Sequence, residues 1–92
     1  MTNKTYNGWT NYETWKHNLE FVNSDYWAEV FNQDAQEASG MTLEHAIDSL
    51  AETLEDEALE YAEELDSFAA SVMQAHIAEV NFFEIAKHIL EG

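Results

Sequence analysis

Residues 43–65 repeat apolar side chains at the spacing of an α-helix, and no other part of the chain constrains the fold as strongly. The apolar positions follow one another at intervals of 4, 3, 4, 4, 3 and 4 residues. At about 100° per residue they form a stripe roughly 80° wide, as on an amphipathic helix that packs against a core. They are Leu43, Ile47, Leu50, Leu54, Ala58, Tyr61 and Leu65. The pattern leaves open a break near residues 55–57, although no glycine or proline there calls for one.

The rest of the chain also favours helices. It has no proline, and its glycines are confined to positions 8, 40 and 92, so few residues break a helix. We predict an all-α fold, a single compact domain over residues 1–92 with about five helices. Their predicted ranges are about 11–22, 25–38, 43–65, 68–79 and 82–90. Thr10 with Glu13 and Asn81 with Glu84 have the spacing of helix capping boxes.

Aromatic residues are concentrated near the N-terminus, where eight of the 12 lie within residues 1–31. We therefore expect the N-terminal third to anchor the core. On the first helix, Tyr12, Trp15, Leu19 and Val22 share one face, which we predict to point inward. Trp9, Tyr12, Trp15 and Trp27 could instead form an aromatic binding patch, but aromatic residues at helical spacing are more often part of a core.

A row of acidic residues accompanies the apolar stripe of the long predicted helix. No Lys or Arg occurs between Lys16 and Lys87, a stretch that holds 17 of the 19 carboxylates. The row lies off the stripe and winds across the solvent face. Like charges at i,i+4 each cost about 0.2–0.5 kcal/mol, so this pattern is not the usual mixed-sign exposed face. The row consists of Glu44, Asp48, Glu52, Asp56, Glu60 and Glu64.

The charge balance excludes several functions. A net charge of −16 opposes direct binding to nucleic acid or anionic membranes, so partners should be basic proteins or cations. The absence of cysteine fits a reducing compartment, and no segment resembles a signal peptide or a membrane span. We therefore expect a cytoplasmic protein.

Catalytic and metal-binding motifs are not found in the sequence. The four histidines, His17, His45, His76 and His88, form no zinc-protease or di-iron motif. Neither a nucleophile elbow nor a phosphate-binding glycine loop is present. We predict no catalytic residues, no metal site and no cofactor, and hence no enzyme. A metal-dependent enzyme remains a distant third interpretation.

Two short segments resemble a known family. Residues 7–15 (NGWTNYETW) and 80–86 (VNFFEIA) are similar to the opening and closing motifs of a small family of phage and mobile-element proteins. Most of that family has no assigned activity, so the resemblance implies no catalytic residues. By size, acidity and this implied origin, the chain also resembles the DNA-mimic inhibitors of host defence, which include anti-restriction and anti-CRISPR proteins.

The favoured hypothesis is an anti-CRISPR inhibitor that mimics DNA and occupies the DNA-binding groove of a CRISPR–Cas surveillance complex. A different class stays open, namely an acidic interaction module that binds a basic phage or host protein without competing with DNA. We expect a monomer in either case. The residues predicted to contact the partner are Asp48, Glu52, Glu55, Asp56, Glu60, Glu63 and Glu64, with Glu29, Asp34 and Glu37 extending the surface.

Overall fold

The computed structural model describes residues 6–91, and within this range the backbone forms six α-helices around one core. The long helix α4 packs most extensively against α6 and then α5, while α2 contacts α6 and α1 contacts both α5 and α6. The all-α prediction is therefore confirmed. The helices are α1 (Tyr12–Phe21), α2 (Ser24–Val30), α3 (Gln33–Ser39), α4 (Leu43–Glu63), α5 (Ser67–Glu79) and α6 (Phe82–Glu91).

The domain is flat, with principal extents of 43 × 33 × 18 Å. Since packed helix axes lie about 8–10 Å apart, its thickness corresponds to roughly two layers of helices. A two-layer arrangement leaves one side of each helix exposed, which is why half of α4 faces solvent. No helix within residues 6–91 is long and apolar enough to cross a membrane.

The predicted helix over residues 25–38 is instead two helices, α2 and α3, separated at Phe31 and Asn32. The Asn32 side chain accepts a hydrogen bond from the Ala35 N–H at 2.7 Å and so begins α3. Gln36 Nε2 donates to the Phe31 carbonyl at 2.8 Å, which satisfies a group at the end of α2. Asparagine side chains compete in this way with the helical backbone, so the interruption has a local cause.

The core lies among α4, α5 and α6. The predicted stripe of α4 is confirmed along its middle, since Ile47, Leu50, Leu54 and Ala58 are all buried. Leu43 and Tyr61, nearer its ends, are instead exposed. Gly40 ends α3 with φ +71°, the left-handed conformation expected there. The other buried apolar residues are Ala46, Ala62, Met73, Ile77, Val80, Phe82, Ile85 and Ala86.

The expectation that the N-terminal third anchors the core is wrong. Between positions 6 and 31 the buried residues are polar, Thr14 and His17. Aromatic residues from this part, such as Trp9 and Trp27, cover the edge of the core and remain partly exposed. Complementary packing of α4, α5 and α6 thus forms the centre of the domain without them.

The face of α1 that points inward is also different from the predicted one. Tyr12 is 46% exposed and Leu19 is 61% exposed. Tyr6 packs on the outer side of α1, with its ring 5.2 Å from Tyr12 and 4.9 Å from Trp15. The orientation of α1 follows from hydrogen bonds made by its polar side chains, which a hydrophobicity pattern does not register.

The opening motif begins with a tight turn. Asn7 and Gly8 have φ values of +49° and +87°, and Tyr6 and Trp9 exchange backbone hydrogen bonds of 2.7 and 2.8 Å across them. Two successive positive φ angles suit an Asn-Gly pair. The turn positions the Trp9 ring against His88 of α6, 4.2 Å away and nearly parallel.

Hydrogen bonds then join the opening motif to the closing one. Asn11 Nδ2 donates to the Glu79 carbonyl at 2.7 Å, and the Asn81 N–H donates to Thr14 Oγ1 at 2.9 Å. The Thr10 N–H donates to Glu84 Oε1 at 3.0 Å. The two segments that carry the family resemblance therefore meet at one junction, which holds α1 against the turn between α5 and α6.

Both predicted capping boxes are modified at this junction. Asn11, one residue after the predicted Thr10, caps α1 by accepting from the Thr14 N–H at 2.8 Å. Asn81 accepts from the Glu84 N–H at 3.0 Å as predicted. The Glu84 carboxylate does not return to Asn81, because it accepts from the distant Thr10 backbone instead.

Thr14→Val is expected to destabilise the domain by about 1–3 kcal/mol, because it leaves the partly buried Asn81 N–H without an acceptor. The Thr14 hydroxyl also donates to Asn11 Oδ1 at 2.6 Å. Thr53→Val is the matched control, since the Thr53 hydroxyl bonds only to the Ser49 carbonyl of its own helix. Urea denaturation followed by circular dichroism measures both variants, and equal losses would contradict the proposed role of the junction.

Candidate functional site

The candidate site is the acidic ridge of α4, which we define as the row from Glu44 to Glu64 at four-residue intervals. All six of its residues are exposed, and α4 is continuous over 21 residues. No break occurs near residues 55–57. Five ridge residues thus lie on one continuous helix and Glu64 is its carboxyl-terminal cap, so the ridge winds without interruption across the exposed side of α4.

Further carboxylates increase the charge density of this face. Glu55, Glu57 and Glu63 are exposed on α4 beside the ridge, giving nine carboxylates between positions 44 and 64. At 1.5 Å per residue this is roughly one charge per 3.5 Å of helix axis. One strand of duplex DNA carries a charge about every 3.4 Å. The six ridge residues alone give only about one charge per 6 Å of helix axis, so the neighbouring carboxylates are needed to approach the spacing of DNA.

The predicted partner-contacting residues are all exposed, but the structure groups them unequally. The seven on α4 and its carboxyl-terminal cap share one helix. Glu29 belongs to α2, which packs mainly against α6, and Asp34 and Glu37 belong to the short helix α3. The continuous carboxylate row is therefore that of α4 alone.

Little positive charge compensates the ridge. Within residues 6–91 the one ion pair joins Lys16 to Glu20, with Nζ and Oε2 2.7 Å apart. Glu60, Glu63 and Glu64 lie at the carboxyl end of α4, where the helix dipole favours cations. Repulsion between the carboxylates and their unfavourable interaction with the helix dipole both destabilise the folded protein. A basic partner would relieve both effects.

A pair of histidines, of which one is buried, lies beside the ridge. It was not predicted from the sequence. His17 is 2% exposed, and its Nδ1 lies 3.1 Å from Nε2 of His76 on α5. Burial, followed by the charge of His76, lowers the pKa of His17 from 6.5 to about 4. The two residues are 59 positions apart, so no local spacing rule could pair them. Among the described residues no three His, Asp or Glu side chains are placed to hold a metal ion.

The lowered pKa predicts a pH-dependent stability. Because the unfolded His17 binds a proton near pH 6.5 and the folded one near pH 4, its contribution is complete above pH 6.5 and is lost as pH falls towards 4. We expect this loss to be about 3 kcal/mol, partly offset as carboxylates lose their repulsion. Urea denaturation between pH 7 and 4 should show that the free energy of unfolding falls less steeply with pH in His17→Phe than in the wild type. Exposed His45→Phe should follow the wild type, and identical slopes in all three proteins would contradict the assignment.

Fold and surface together define an acidic all-α domain whose charge is concentrated on one helix. The chain belongs to a family of unknown function, DUF7249, whose profile matches residues 2–89. The match covers both motifs of the junction and the whole of α4. Neither the curated proteins nor the solved structures contain a match to the chain.

Proposed function

We propose that this protein is an inhibitor of a host defence complex and acts as a DNA mimic. In this proposal the ridge and its neighbours on α4 occupy a basic DNA-binding groove, and the first candidate is a CRISPR–Cas surveillance complex. Lys and Arg side chains of the target pair with the carboxylates and become unavailable to DNA. The protein works in the cytoplasm of the host bacterium and needs no cofactor.

The observation that carries the proposal is the spacing and isolation of the carboxylates on α4. Nine carboxylates on α4 and its carboxyl-terminal cap approach the linear charge density of a DNA strand. No Lys or Arg lies among them. Solubility alone is met by a net charge of about 2–8 in a small domain. The charge excess, its placement at the wrong end of the helix dipole and its exposure all favour a basic partner over a merely soluble surface.

Steered association is the expected kinetic signature. Complementary charge raises association rates, often to about 10⁸ M⁻¹s⁻¹ at low ionic strength, and salt screens the effect. Binding to the partner should therefore weaken steeply as salt increases, mainly through the association rate. A pull-down from a bacterial host that carries defence systems supplies the partner, and surface plasmon resonance at several salt concentrations measures the rates. An association rate independent of salt would argue against the ridge as the contact surface.

The second candidate is an acidic adaptor that binds a basic protein without displacing DNA. Exposed apolar side chains away from the ridge favour it, because a pure phosphate mimic has no use for them. Phe68 is 79% exposed and Val72 is 55% exposed, one turn apart on α5. An adaptor allows a ternary complex with DNA, whereas a mimic excludes one. Gel filtration of the recovered partner with labelled DNA and this protein distinguishes the two.

A further inference from the structure

A groove of about 360 Å³ lies between the end of α1 and the carboxyl-terminal half of α4. It equals the volume of roughly a dozen water molecules, so it is large enough for one side chain and too small for a folded element. Its lining has an apolar floor, two aromatic walls and an acidic rim. The residues that matter for its chemistry are His17, Phe21, Glu57, Glu60, Tyr61 and Glu64.

The aromatic walls are open to solvent. Phe21 is 45% exposed and Tyr61 is 47% exposed, and their ring centroids are 5.7 Å apart with an interplanar angle of 62°. Leu54 and Ala58, both buried, form the floor between them. The electron-rich faces of aromatic rings attract cations that come within about 6 Å. The walls therefore suit a flat cationic group better than a neutral polar one.

The rim supplies negative charge from one side. Glu57, Glu60 and Glu64 follow one another at three- and four-residue intervals on α4, with Tyr61 between them. The carboxyl end of the helix dipole adds further negative potential at this place. No basic side chain lines the groove. The rim therefore favours a positively charged occupant.

The base of the groove is a histidine ring. His17 is 2% exposed, its Nδ1 lies 3.1 Å from His76 Nε2, and its ring stacks on Phe21 with the centroids 5.0 Å apart. His17 therefore holds the Phe21 wall in place and gives the groove a fixed aromatic surface.

We propose that this groove receives the guanidinium of an arginine side chain on the basic partner, an inference that rests on the proposed function and specifies its contact. The planar cation stacks on the exposed side of the Phe21–Tyr61 pair and pairs with the rim carboxylates. Arginine combines a planar stacking surface with several fixed N–H donors. Lysine offers a single ammonium and matches only the rim. The electrostatic field of the ridge attracts any basic surface, whereas the groove selects arginine.

The test uses small probes on the whole protein. Acetyl-arginine amide, acetyl-lysine amide and acetyl-citrulline amide are titrated against isotope-labelled protein by NMR, with citrulline as the neutral analogue of arginine. We expect arginine to shift the signals of His17, Phe21 and residues 57–61. It should bind at least about threefold more tightly than lysine, as one stacked, charge-assisted contact would give. Citrulline should give no saturable shift.

Two variants with equal charge loss separate the groove from the general field. The first is Glu57→Gln with Glu60→Gln and Glu64→Gln. The second removes three charges from the other end of α4, by Glu44→Gln, Asp48→Asn and Glu52→Gln. We expect the first to lose about tenfold or more of arginine affinity, and the second to lose less than about twofold. Circular dichroism should show both folded, because the substitutions relieve repulsion.

Equal losses in the two triple variants, or equal binding of arginine and lysine, would overturn the groove proposal. Tyr61→Ala adds a check on stacking, since it leaves every charge in place and should remove the preference for arginine over lysine. A retained preference would likewise overturn it. Competition between this protein and DNA for the recovered partner is measured separately. It reports on the proposed function whatever the outcome of the probe titrations.

Discussion

Replacing Glu52, Asp56 and Glu60 with lysine is expected to reduce affinity for the basic partner by about 100-fold or more. Each reversal converts an attraction into a repulsion, at about 1 kcal/mol or more per contact, and every 1.4 kcal/mol is tenfold in affinity. The three residues are exposed and lie on the face of α4 away from the core. The helix should survive, since two of the four like-charge i,i+4 pairs that involve these residues become attractive. Affinity is measured by calorimetry with the partner recovered from the host.

The control variant makes the same change in net charge at positions outside α4. Asp25, Glu79 and Glu91 are exposed and lie off α4, and their replacement by lysine alters the net charge equally. This control should keep most of the affinity, with a loss below about tenfold from the weaker overall field. If the control and the ridge variant lose the same affinity, the partner responds to net charge and the ridge has no special role.

Leu54→Ala is expected to destabilise the domain by about 3–5 kcal/mol. Leu54 is 2% exposed and lies in the middle of α4, where it packs within the core. Truncation of a buried leucine costs the lost burial and leaves a cavity. A loss of this size is a large part of the ~5–10 kcal/mol that stabilises a small domain. The free energy of unfolding is measured by urea denaturation.

Leu59→Ala is the matched control on the same helix. Leu59 is 39% exposed, so its truncation should cost less than about 1 kcal/mol. The contrast between the two leucines tests the rotation of α4 about its axis, and hence which carboxylates face solvent. Similar losses at both positions would mean that the ridge does not lie where the structure places it.

The long helix was predictable because its sequence carries redundant signals. Apolar positions repeat at three- and four-residue intervals and acidic positions at four, both typical of a helix, while Thr42 caps its start and Gly40 ends the preceding helix. Each signal is local and each specifies the same element. The exposure of the acidic face followed from the same pattern, and all of its predicted members are exposed in the structure.

The orientation of α1 was not predictable because it depends on contacts across the chain. Tyr12, Trp15 and Leu19 make a convincing apolar face, but Thr14 and His17 point inward. Their partners are the Asn81 backbone and His76, both about 60 residues away. Hydrophobic periodicity does not register a buried hydroxyl or imidazole whose partner is distant in sequence. The groove was missed for the same reason, since its two sides come from different helices.

The contacts of the junction give residues 7–15 and 80–86 a structural role. Asn7 and Gly8 make a turn, Asn11 and Thr14 bond to the turn between α5 and α6, and Trp9 covers His88. These are structural tasks, so in this chain the two segments fix α1 against α5 and α6. The carboxylates of α4 take no part in the junction. The specificity of each family member is therefore expected to depend on the surface that this scaffold displays.

Competition with DNA for the recovered partner tests the DNA-mimic proposal most directly. Labelled target DNA is bound to the partner, and this protein is added while fluorescence anisotropy reports the bound fraction. The proposal predicts complete displacement, with a half-inhibitory concentration of the protein that rises linearly with DNA concentration. The inhibition constant derived from it should equal the directly measured dissociation constant of the protein. Unchanged anisotropy when the protein saturates the partner, with a ternary complex on gel filtration, would contradict DNA mimicry.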